Sequence, residues 1–135
     1  MVLRLTGSWK RSALLRSKVI VATRDLSAAT GNVAYTGVGF APRAIIGNWS
    51  VDATATFGFG MVDLKLAGSN ASYYGSNLTT GAAGTSFITA FLADGAADKY
   101  QTAALVSADI DGFTLSWTKT GAPTGTLKLS FLCLN

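Results

Sequence analysis

The carboxylates of this chain are seven aspartates, Asp25, Asp52, Asp63, Asp94, Asp98, Asp109 and Asp111; it contains no glutamate and no histidine. That inventory removes Ser-His-Asp triads, imidazole bases and HExxH zinc sites. Asp94 and Asp98 bracket a Gly-Ala turn, a poor support for the fixed carboxyl separation that a glycosidase requires. Asp109 and Asp111, spaced i, i+2, would share a strand face and, with Asp94 or Asp98, offer oxygen donors to Ca²⁺. No Ca²⁺-loop pattern surrounds them, however, and Asp111-Gly112 is ordinary turn chemistry. The one cysteine, Cys133, excludes an internal disulfide and, at a strand position, reads as a small buried hydrophobe. The expectation is a non-enzyme with no cofactor and no metal.

Binding chemistry is better represented. Trp49, Tyr73, Tyr74 and Tyr100 are flat apolar platforms of the kind that hold a sugar ring, with Asn48, Asp52, Asn70 and Asn77 as hydrogen-bonding partners. Trp49, Tyr73, Tyr74 and Asn77 form the glycan-facing candidate set. The competing reading puts Trp49 in the core and the tyrosine pair against a neighbouring subunit. Adjacent strand residues point to opposite faces, so both tyrosines line one site only if they lie in a loop.

Charge is distributed unevenly. Of the eleven basic residues, Arg4, Lys10, Arg11, Arg16, Lys18 and Arg24 precede the first acid, so the formal net charge of +4 belongs to a basic N-terminal arm. Such an arm suits an anionic partner. Leu3, Leu5, Trp9, Leu14 and Leu15 interrupt it, which a simple phosphate-binding tail would not need, and nucleic acid is not the expected partner. Aromatic and Arg residues are the usual anchors of interfaces. Leu3, Trp9, Lys10, Arg11, Leu14, Leu15 and Arg16 are therefore the residues expected to dock the arm on a partner. The arm lacks the apolar core and cleavage site of a signal peptide. No apolar run approaches the ~20 residues of a membrane span.

The elements that would position these residues are strands. Charged residues are 13% of the chain, about half the usual ~25%, which leaves a surface weakly protected against association. Alternating or β-branched runs occur at 18–24, 33–38, 43–50, 53–62, 87–93 and 102–110, with turn residues between them. Gly39-Phe40-Ala41-Pro42 breaks the ladder, since proline donates no hydrogen bond. The uncharged stretch Ala67–Ser86 reads as a long surface loop or a weak hairpin. At the end, Phe113, Leu115 and Trp117, then Leu127, Leu129 and Phe131, alternate with polar residues about a Gly121–Gly125 turn, predicting a closing hairpin. The fold expected is an all-β, antiparallel, jelly-roll-like sandwich of about eight strands at 18–135, preceded by an arm at 1–17.

The segment Thr30–Ile46 (TGNVAYTGVGFAPRAII), the Gly/Phe-rich segment Thr56–Asp63 and Asp111–Leu132 (DGFTLSWTKTGAPTGTLKLSFL) follow in that order. Together they resemble a group of small β-sandwich virion structural proteins of tailed bacteriophages and prophages. The resemblance runs from about residue 18 to the C-terminus and excludes the arm. It implies a homo-oligomer, a trimer for preference, built into the phage particle with other virion proteins, as a tail fibre or appendage module or a head-decoration protein. From its charge asymmetry and apolar residues, not from the resemblance, the arm (Leu3 to Arg16) is expected to anchor the protein to the particle, with the sandwich and its Ala67–Ser86 loop facing outward. The second reading is a lectin-like module recognising host surface glycans during host attachment.

Overall fold

The computed structural model describes residues 14–52, 56–64, 68–74, 82–84, 88–91 and 99–135. Among these residues ten strands follow one another: β1 (Ser17–Asp25), β2 (Gly31–Thr36), β3 (Ala44–Val51), β4 (Phe57–Asp63), β5 (Gly68–Tyr74), β6 (Ala82–Gly84), β7 (Ile88–Phe91), β8 (Tyr100–Asp109), β9 (Gly112–Thr120) and β10 (Thr126–Leu134). They form two antiparallel sheets, ordered β1-β10-β3-β4-β5-β6 and β2-β9-β8-β7. The expected count of about eight was low, because the Ala67–Ser86 stretch holds β5 and β6. Those strands pair from Ala71↔Gly84 to Tyr73↔Ala82, the weak-hairpin alternative rather than the long loop. Backbone pairing there does not depend on the alternation that revealed the other strands.

The terminal hairpin is a second correction. β9 pairs with β2 and β8, whereas β10 pairs with β1 and β3 in the other sheet. The Gly121–Gly125 connection thus crosses between the sheets, with Gly121 (φ 65°) and Gly125 (φ 108°) in backbone conformations that favour glycine. Both strands turn their apolar faces into the same core, so their alternation is real while their pairing is not.

That core lies between the sheets. Ile45, Trp49, Leu129 and Phe131 come from one side, and Tyr35, Phe113, Leu115 and Trp117 from the other. The rings of Tyr35, Phe113 and Phe131 pack with centroids 5.1–5.2 Å apart, in stacked and edge-on arrangements that suit aromatic quadrupoles. Trp117 Nε1 donates to Tyr35 Oη at 3.2 Å, satisfying a buried polar group. Cys133 is buried among these residues, as its strand position predicted.

One buried polar residue ties down the β1–β2 connection. Gln101 Nε2 donates to the Leu26 and Ala28 carbonyls at 2.7 and 3.0 Å, and its Oε1 accepts from Arg24 Nε at 2.6 Å. The Arg24 guanidinium lies 4.5 Å above the Trp117 ring and also donates to the Ala29 carbonyl. Every polar atom of the buried amide is thereby employed in holding the end of the core shut.

Candidate assembly surface

The sequence FGFGM in β4 places large and absent side chains alternately. Gly58 and Gly60 are buried, and lie opposite Trp49 and Gly47 of β3. Their missing side chains leave the inner space to the Trp49 ring, which is buried in the core. Phe57, Phe59 and Met61 must then stand on the outer face of the six-stranded sheet, where they remain 52%, 49% and 48% exposed.

Register aligns more apolar groups with them. One row across that face runs Val19, Leu132, Ile46, Met61; the next runs Val21, Ser130, Asn48, Phe59; a third runs Thr23, Lys128, Ser50, Phe57. Val19 and Val21 are as open to solvent as the phenylalanines. The exposed parts of Val19, Val21, Ile46, Phe57, Phe59 and Met61 amount to on the order of 500 Å² of apolar surface. That is the upper end of what a monomer's largest patch shows, and such patches mark contacts with other molecules.

The second row is hollow in the middle, and in the third Lys128 stands beside the short Ser50. Ser130, Asn48 and Ser50 are short, and Val21 and the two phenylalanines rise on either side of them. The result is a groove of about 950 Å³. At one end Lys128 Nζ reaches Asp52 at 3.1 Å, an exposed ion pair worth little to stability. The floor offers one amide and two hydroxyls; the walls are apolar. This arrangement can bind protruding apolar side chains. It carries no carboxylate pair, nucleophile–base pair or metal-ligand set for chemistry, and among the described residues no three potential metal ligands cluster.

The sequence-derived sites distribute differently. Leu3, Trp9, Lys10 and Arg11 lie outside the described residues, as does Asn77. Leu14 and Leu15 are 87% and 74% exposed, open to a partner as an anchor would be. The Arg16 guanidinium sits 4.7 Å over the Phe40 ring and donates to the Gly39 carbonyl, within its own domain. Trp49 is a correction, being core and presenting no ring to a sugar. Tyr73 and Tyr74 are consecutive positions of β5, opposite Gly58 and Phe57, and not the loop pair that a shared site requires. Asp109 accepts from Ser107 Oγ and Thr114 Oγ1 at 2.8 Å each, and Asp111 accepts from backbone amides, so neither carboxylate is directed at a cation.

The outer-face set Val19, Val21, Phe57, Phe59 and Met61 was not among the residues expected to form a site. The signal was present in the alternation of glycine with large apolar residues, which marks two unlike faces. No protein family, curated protein or solved structure matches this chain.

Proposed function

We propose that this protein is a non-enzymatic structural subunit of a bacteriophage particle, assembling as a homo-oligomer through the outer face of its six-stranded sheet. The observation that carries the assembly reading is the aligned, exposed apolar surface of Val19, Val21, Ile46, Phe57, Phe59 and Met61. A standard interface buries about 800 Å² per partner. The apolar rows form the centre of such a patch, and Thr23, Ser50 and Lys128 form a polar rim.

The virion reading is supported by the resemblance of Thr30–Ile46 and Asp111–Leu132, the former containing Gly37 and Gly39 and the latter Asp111, which are joined by hydrogen bonds. We read the two sheets as a jelly-roll-like sandwich, since the chain crosses between them at β1–β2, β2–β3, β6–β7 and β9–β10. Within the particle the role is that of a tail fibre or appendage module or a head-decoration protein, with a trimer as the oligomer that the resemblance implies.

Light scattering of the full chain tests this. The expected result is a stable oligomer at micromolar concentration, reduced to monomer by Phe59→Ser with Met61→Ser while the circular dichroism spectrum is kept. A full chain that is monomeric throughout that range overturns it.

A further inference from the structure

We propose that the outer-face groove receives the apolar N-terminal arm of a neighbouring copy, an inference that rests on the oligomeric reading above. Two flat sheet faces pressed together would leave the hollow over Ser130, Asn48 and Ser50 unfilled, and interiors do not tolerate voids of that size. Something that projects must enter it. Residues 1–13 supply projecting groups in Leu3, Leu5 and Trp9. Leu3 and Leu5 alternate with Arg4 and Thr6, so an extended segment presents both leucines on one side.

The chain's own arm is badly placed to reach its own groove. β1 runs from Ser17 towards Val21 and Thr23 at the groove wall, so Leu14 to Arg16 enter it from the end away from the groove. Asn135 N donates to the Arg16 carbonyl at 3.0 Å, continuing the β1–β10 ladder outward past Ser17. The Arg16 side chain holds that direction through Phe40 and Gly39. Fully extended, thirteen residues span up to about 45 Å, ample to cross to an adjacent subunit.

Site-directed cross-linking between copies tests the exchange. One full-length variant carries Leu5→Cys and a second, distinguishable in mass, carries Ser50→Cys; native Cys133 is buried and silent. The two are mixed, allowed to exchange and treated with a short thiol cross-linker. The expected product joins one chain of each mass. As a second readout, Leu3→Ser with Trp9→Ser should raise the concentration needed for assembly by about tenfold or more. A cross-link confined within one chain in a Leu5→Cys, Ser50→Cys double variant overturns the exchange. So does an intact oligomer with no cross-link, which leaves the assembly reading standing. A monomer in light scattering removes both.

Discussion

Asp111 Oδ1 accepts a hydrogen bond of 2.6 Å from the amide of Gly39, a residue 72 positions earlier in the chain. Its Oδ2 accepts from the Gly37 amide at 3.1 Å, and its backbone carbonyl accepts from Val38 at 3.1 Å. Three successive amides of the β2–β3 connection are thus held by one residue of the β8–β9 turn. Gly37 and Gly39 can present their amides this way because their φ angles are +88° and +80°. Asp111→Ala should cost about 1–3 kcal/mol, with a smaller loss for Asp111→Asn, which keeps one acceptor. Urea midpoints measure this, and an unchanged midpoint in the alanine variant would refute the clasp.

The neighbouring glycine is under a different constraint. A Cβ on Gly112 would overlap the Tyr35 carbonyl oxygen and approach the Thr36 Cα to 3.2 Å. Those atoms belong to the paired backbone of β2 and cannot step aside alone. Gly112→Ala should therefore cost more than about 3 kcal/mol, a large part of the stability of an ordinary domain. Soluble yield and the denaturant midpoint report it; wild-type behaviour would mean that β2 can slide away from β9.

Gln101→Leu should be disproportionately damaging for a residue that touches no surface partner. It strands the Leu26 and Ala28 carbonyls and removes the acceptor for Arg24 Nε, at a cost of about 2–3 kcal/mol. Hydrogen exchange at residues 26–30 should rise in the same variant. If protection there is unaffected, the amide does not hold that connection.

Stability should be level near neutrality and fall at both extremes of pH. Burial pushes the Cys133 thiol up to about 11, and burial also raises the Tyr35 phenol, opposed by its hydrogen bond from Trp117. A raised folded-state value means that the native protein retains a proton which the unfolded chain releases. The resulting stabilisation is complete below about pH 8.5, the ordinary thiol value, and is lost as pH climbs towards 11, by on the order of 2 kcal/mol for the thiol. On the acid side, hydrogen bonds from the Ser27 hydroxyl and amide hold Asp25 below its ordinary value. Its contribution is present above about pH 4 and fades as pH drops through the lowered value. Midpoints between pH 3 and 11 check both limbs, and Cys133→Ala should flatten the alkaline one. A midpoint that rises above pH 9 contradicts this assignment.

Alternation in the sequence made the inner faces legible. Phe113, Leu115, Trp117, Leu127, Leu129 and Phe131 are all buried as their spacing required. Pairing was not legible, because period two says which face is apolar and not whether the next apolar face lies beside it or across a core. The same limit hid the groove: FGFGM is compatible with either face inward until Trp49 is known to occupy the space over Gly58. Partners of Asp111 and Gln101 lie more than seventy positions away, beyond the reach of any local pattern.

Strand β1 has its ladder partner in β10, with Ser17 opposite Leu134 and Asp25 opposite Thr126. During synthesis the ribosome must therefore emit roughly a hundred further residues before β1 can pair, at about 5–20 residues per second. Through those seconds the sticky segment Val19-Ile20-Val21 is unprotected on the nascent chain. Arg16, Lys18 and Arg24 beside it act as gatekeepers, since like charge keeps two such segments on neighbouring nascent chains apart until β10 arrives.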